Sequence, residues 1–142
     1  MTPEALSNAE LAAIHARAMR VPKPWSEAEI ASLRAAPGIL CLTAGRSFAM
    51  GRVVLDEAEL LTIAVDPDHQ GKGIGRELLD AYHRRAHANG ATVSFLEVAE
   101  TNVPARALYY AAEYIQCGLR KGYYTDVQPP VDALVLRRPL PA

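Results

Sequence analysis

Apolar positions along the chain fall into two rhythms, and their alternation outlines the fold before any motif is considered. From Asn8 to Met19 they recur at helical spacing, with Leu11, Ile14 and Met19 roughly on one side and Ser7 or Asn8 as the cap. Val21-Pro22-Lys23-Pro24-Trp25 breaks that rhythm, and Ser26 with Glu29 has the capping-box spacing of a second helix. Three short apolar runs follow, Ile39 to Thr43, Phe48 to Leu55 and Leu60 to Val65. The linkers Ala44 to Ser47 and Asp56 to Glu59 are short enough for hairpins, which predicts an antiparallel meander. Helical spacing returns at Ile74, Leu78, Ala81 and Tyr82 and stops at Asn89-Gly90, after which Val93 to Val98 is a β-rich run. A strand–helix–strand crossover of this length makes Leu60–Val65 and Val93–Val98 parallel neighbours.

Asn102 then caps a short helix with Pro104 in its first turn. Two further β runs, Tyr114 to Leu119 and Val131 to Leu136, flank a longer loop that holds Lys121-Gly122-Tyr123-Tyr124 and Pro129-Pro130, and they can pair antiparallel. Thr2 to Leu6 has room for a short first strand. The expected architecture is α+β, a mixed and mostly antiparallel sheet with helices on both faces and one central parallel strand pair.

Composition narrows the class without adding elements. A chain of 142 residues suits one domain over residues 1–142, large enough to bury about 68–70% of its unfolded surface. Fifteen Lys and Arg stand against sixteen Asp and Glu, so no strong field points to nucleic acid or an anionic membrane as a partner. No apolar run reaches the ~18–20 residues of a membrane span, and Met1 to Leu11 carries acids without a basic leader segment, so a cytoplasmic protein is expected. Cys41 and Cys117, without a C-x-x-C, read as buried reduced thiols. His83 and His87 are four apart but lack the Glu of H-E-x-x-H and neighbour Arg84 and Arg85, so they read as a solvated helix face, and no metal is expected.

The segment Ile63 to Leu79 carries the most chemistry: a strand that stops at Asp66-Pro67, a glycine-rich turn, and a helix. Gly71, Gly73 and Gly75 leave room for backbone N–H groups to converge on a guest, and the new helix points its positive end the same way, which suits phosphate. No Ser or Thr follows Lys72 as a Walker loop requires, and the glycine spacing misses G-x-G-x-x-G. Gln70-Gly71-Lys72-Gly73-Ile74-Gly75 instead resembles the acetyl-CoA pyrophosphate loop, Q-x-x-G-x-G, of the GNAT acetyltransferases.

The resemblance extends from about residue 24 to 136. Pro24-Trp25-Ser26, Glu59 to Pro67, Leu96-Glu97-Val98, Asn102, Ala107-Leu108-Tyr109, Gly122-Tyr123-Tyr124 and Asp132 to Val135 appear in family order and are most similar to the RimI branch, which acetylates the N-terminal alanine of a small-subunit ribosomal protein. It implies a GNAT fold and an acetyltransferase that uses acetyl-CoA as co-substrate. Glu97 would be the general base and Tyr109 the general acid. The backbone of Ile63, Ala64 and Val65 would bind pantetheine like an added strand, Gln70 to Arg76 the pyrophosphate, and Asn102 would touch the cofactor. Trp25, Tyr123 and Tyr124 would contact the acceptor, a protein N terminus, possibly a ribosomal one.

The residues themselves leave alternatives open. Outside the family pattern Glu97 reads as a solvent-facing or salt-bridged strand residue, Leu108-Tyr109 as core with a polar tip, and Trp25 as either a core plug or a pocket wall. Lys72 reads equally as a solvated loop residue. Tyr110 offers a second phenol, and Ala112-Glu113-Tyr114 lacks the family's glycine helix stop. A lysine side chain or small amine would suit the same base and acid, and a non-catalytic CoA-binding module would keep the fold without the reaction.

Overall fold

The computed structural model describes residues 6–21 and 23–141, so the place allotted to a first strand falls almost wholly outside the described residues. Among these the helices are α1 (Asn8–Ala18), α2 (Glu27–Arg34), α3 (Ile74–Ala88) and α4 (Val103–Ala111). The strands are β1 (Ile39–Thr43), β2 (Ser47–Val54), β3 (Glu57–Val65), β4 (Val93–Ala99), β5 (Ile115–Tyr124) and β6 (Val131–Pro139). They form one sheet in the order β1-β2-β3-β4-β6-β5. Every neighbouring pair is antiparallel except β3 with β4, as the crossover argument requires.

Both N-terminal helices begin on a capping box, Ser7 with Glu10 and Ser26 with Glu29. They cover one face of β1 to β3, where Leu11, Ile14, Ile30, Phe48, Met50 and Ala64 form a core. On the other face α3 and α4 bury Leu78, Leu79, Tyr82 and Tyr109 against Leu60, Leu96, Leu134 and Leu136. Tyr82 packs so closely on β2 that a Cβ at Gly51 would lie 2.4 Å from its ring.

The feature that shapes the site is a bulge. Met50 faces Thr62 and Gly51 faces Leu60, which leaves Leu61 as an extra residue on β3. The side-chain alternation flips there: Ala58 and Leu60 point into the α3 core, whereas Ala64 points into the α1 core. At the same point β3 leaves β4, whose parallel pairing runs only from Glu57↔Val93 to Leu60↔Leu96. Beyond it, β3 continues on β2 to Val65, and β4 continues on β6 through Glu97, Val98 and Ala99. The strands part like a V, each with one edge unpaired toward the other.

Several boundaries differ from the sequence reading. The β2–β3 turn is Leu55-Asp56, with Leu55 at φ 56°, so β3 starts at Glu57 and not at Leu60. Lys121 to Tyr124 belong to β5 rather than to a loop, past an irregularity between Arg120 and Tyr124. His83 is buried, contrary to the expected solvated face: its Nε2 bonds the Tyr114 hydroxyl at 2.8 Å, and Arg138 approaches Nδ1 at 3.1 Å. Cys41 is half-buried, but Cys117 is exposed on β5, an edge strand that pairs only with β6 among the described residues. Cys117 is also the extra residue of a second bulge.

Helices α3 and α4 end alike. The N–H of Ala91 returns to the Ala86 carbonyl across Gly90 at φ 99°, and that of Tyr114 returns to Tyr109 across Glu113 at φ 71°. Glu113 thus occupies the left-handed position where α3 has glycine.

Candidate active site

One wall of the V is made of backbone. From Leu61 to Val65 the edge of β3 that faces β4 has no strand partner, leaving N–H and C=O groups for an extended guest. Asp66 fixes the strand's exit. Its buried carboxylate takes both oxygens to Arg17 at 3.0 Å, lies 3.3 Å from Arg46, and accepts the Asp68 amide. That amide bond, with the two arginines, holds its carboxyl below the usual carboxylate range.

Next, the Gln70 side chain donates to the Val65 carbonyl at 3.2 Å and folds the loop back over the strand end. Gly71 and Gly73 sit at φ 79° and 78° with open space where a Cβ would project, and Gly73 caps α3 without a side-chain bond. The first-turn N–H groups of α3 therefore face solvent, together with the positive end of the helix dipole. Lys72 is exposed. Arg76 is tied to Asp80 at 3.2 Å and to the Ala111 carbonyl at 3.1 Å, so its charge stands beside the loop in a fixed place.

The opposite wall is made of side chains from distant segments around a cleft of about 620 Å³. Glu97 and Tyr109 both line it. Glu97 is partly buried, 24% exposed, and its buried Oε2 lies 3.3 Å from Arg120 Nε, so it is a salt-bridged strand residue that also opens on the cleft. Tyr109 is buried edge-on to Tyr114, ring centres 5.8 Å apart, and burial pushes its phenol above the ordinary value, so it keeps its proton. Tyr110 is 40% exposed under Arg106 and does not line the cleft. Asn102 lines the cleft, but its Oδ1 accepts the Ala105 amide as the α4 cap, so the amide nitrogen is the part left for a guest.

Trp25 does both things the sequence allowed: it packs on the α1 core and lines the cleft. Its partner, His15, went unassigned in the sequence. The Trp25 backbone N–H donates to His15 Nδ1 at 2.9 Å, so the ring proton sits on Nε2 and is donated to Thr62 Oγ1 at 3.0 Å. The imidazole stacks on the indole with centroids 4.7 Å apart. Burial lowers the His15 pKa from 6.5 to about 4. The available signal was a polar side chain beside Ile14, four residues after Leu11, on the buried stripe of α1.

Tyr124 is buried at the cleft, with its phenol pushed up to about 12 by burial, and Tyr123 stands edge-on to it, half-exposed. The Lys23 backbone N–H donates to Asp126 at 2.7 Å and joins the α1–α2 connection to the loop after β5. Glu29, Glu59, Glu97 and Asp126 line the cleft with Lys23, and Arg52 and Arg120 pair with Glu59 and Glu97, so the balance stays slightly negative, which suits a cationic guest. Among the described residues no group of three or more His, Cys, Asp or Glu is placed to hold a metal ion, and no helix is long and apolar enough to cross a membrane.

The chain is similar to known proteins in sequence and in fold. Residues 12–114 match the model of the Acetyltransferase (GNAT) family. The [ribosomal protein bS18]-alanine N-acetyltransferase of Escherichia coli strain K12 is 36% identical over 121 residues, 82% of each chain. The protein of that name from Salmonella typhimurium strain LT2 is 39% identical over 94 residues, 66% of this chain and 64% of its own length. The crystal structure of the E. coli ribosomal-protein-S18-alanine N-acetyltransferase superposes with a TM-score of 0.81 at 34% identity, covering 95% of this chain and 88% of that one.

Proposed function

The chain belongs to the acetyltransferase (GNAT) family, and from that premise we propose that it moves acetyl from acetyl-CoA to the α-amine of a protein N terminus, the N-terminal alanine of a small-subunit ribosomal protein being the acceptor. One observation carries the reading. Where β3 and β4 part, a free backbone edge, a carboxylate and a proton-retaining phenol meet in a single cleft. The relatives named for alanine N-acetylation supply the acceptor class.

In this reading the β3 edge from Ile63 to Val65 holds the amide-bearing arm of the donor. The loop from Gln70 to Arg76, open where Cβ atoms would stand, receives its pyrophosphate. An α-amine has a solution pKa near ~7.7–8.0 and arrives largely protonated at neutral pH. Glu97 takes that proton, directly or through a water, and frees the nitrogen lone pair. As the C–N bond forms and the C–S bond breaks, Tyr109 gives its proton to the departing sulfur, and the second proton, which the nitrogen sheds on becoming an amide, restores the phenol through water. Trp25, Tyr123 and Tyr124 wall the acceptor, and the acidic lining attracts the ammonium. In this reading the protein works in the cytoplasm, where both substrates are made.

A lysine side chain, with pKa ~10.4, is a harder deprotonation for one carboxylate, and it stands as the second acceptor class, with small amines beside it. The test is mass spectrometry of two peptides after incubation with acetyl-CoA. One has a free N-terminal alanine; the other is the same peptide blocked at its N terminus and carrying an internal lysine. Acetyl on the free α-amine alone is expected. Acetyl on the lysine alone moves the acceptor to the second class, and binding of acetyl-CoA with no transfer to any amine identifies a non-catalytic module.

A further inference from the structure

Arg120 stands between the proposed base and the acceptor wall. On β6, Val135 pairs with Glu97 on one side and with Gly118 on the other, so the rung of β5 nearest the base offers no side chain. The partner comes instead from Arg120, two residues further along the same face. Its Nε lies 3.3 Å from Glu97 Oε2, an oxygen that is buried and has no aligned hydrogen bond. Its guanidinium carbon is 5.5 Å from the centre of the Tyr123 ring. The arginine therefore touches the carboxylate and an aromatic of the acceptor wall at once. Beside it opens a second cavity of about 480 Å³, which shares Glu59 and Glu97 with the cleft and is lined by Arg120, Phe95 and Val135.

We propose that Arg120 is a positioning residue for the base. A free carboxylate rotates and offers either oxygen; the arginine charge 3.3 Å from Oε2 favours one orientation and leaves Oε1 to take the acceptor's proton. Arginine keeps its own protons at any working pH, so it orients the base without competing for the proton being moved. Its contact with Tyr123 ties the carboxylate's orientation to the acceptor wall. The inference rests on Glu97 being the base.

Steady-state kinetics of Arg120→Ala, Arg120→Lys, Glu97→Gln and the double variant Glu97→Gln/Arg120→Ala test it, with acetyl-CoA and whichever peptide the wild-type enzyme acetylates. The Arg120 side chain is 56% exposed, so its variants fold, and a melting curve checks that. Arg120→Ala should lower kcat by about tenfold or more and leave KM for acetyl-CoA within about twofold, and Arg120→Lys should recover part of the loss. Because the arginine acts through Glu97, the double variant should be no slower than Glu97→Gln alone. A kcat at or above wild type in Arg120→Ala overturns the proposal, as does a double variant that multiplies the two losses. A wild-type rate in Glu97→Gln, or no acceptor at all, removes the base reading, and the proposal falls with it.

Discussion

The two walls of the cleft are made of different material. The wall proposed for the donor is a strand edge, a glycine loop and a helix end, all within residues 61–76 and all presenting main-chain groups. The wall proposed for the acceptor takes His15, Trp25, Glu97, Tyr109 and Tyr124 from five separate elements and connections and presents side chains. A donor common to a whole family can be held by groups every residue possesses, whereas an acceptor that varies is met by groups that substitution can change. The lesson is one of division of labour: main chain for what stays constant, side chains for what is chosen.

The largest test of that division lies in the chemistry. Glu97→Gln and Tyr109→Phe should each slow acetyl transfer by ~10²-fold or more, while binding of acetyl-CoA, followed by calorimetry, stays at the wild-type level. If either variant loses donor binding in step with rate, the walls are not separate.

A smaller effect compares the walls through their buried histidines, His15 against the acceptor wall and His83 on α3, the helix that follows the glycine loop. Burial lowers both from 6.5 to about 4. The unfolded chain binds a proton at each ring below about pH 6.5, and the folded chain refuses it until about pH 4. The stabilisation is therefore fully present above pH 6.5 and lost as pH falls, by roughly 2 kcal/mol per ring at pH 5. Urea unfolding at pH 7.5 and 5 measures the sum, and a His83→Gln variant should show about half the fall. Equal stability at the two pH values contradicts the assignment of both rings as buried and neutral.

The smallest effect compares two helix ends. The donor-side helix closes over Gly90 and the Tyr109 helix over Glu113, in the same hydrogen-bond pattern. Glu113→Gly should stabilise the fold by about 1 kcal/mol, a shift of roughly 2–4 °C in Tm, with kcat unchanged. A drop in Tm would mean that the Glu113 side chain contributes more than its backbone strain costs.

The same division explains what the sequence could reveal. The glycine loop, the parallel crossover and the Ser26–Glu29 capping box are local, contiguous patterns, and each appears where its residues predicted it. The acceptor wall depends on the Leu61 bulge, which the run from Leu60 to Val65, apolar but for Thr62, conceals. With that extra residue Thr62 reaches His15; without it the strand alternation would put Thr62 on the same face as Leu60, toward α3. The arginines beside His83 make it look solvated in sequence, whereas its position four residues after Leu79 puts it on the buried stripe of α3. The contact from Arg120 to Glu97 crosses β6, and no spacing along the chain encodes it.

The outer edge of β5 has a consequence for how the protein behaves in bulk. Ile115, Leu119 and Tyr123 are exposed along it, and an unpaired edge with apolar neighbours is a template on which other chains can stack into aggregates. The bulge at Cys117 breaks the regular spacing such stacking needs, and exposed Lys121 sets a positive charge against an incoming copy. Shelf life at high concentration thus depends on one misfit residue and one cation, and a neutral substitution at Lys121 trades away colloidal stability along with charge.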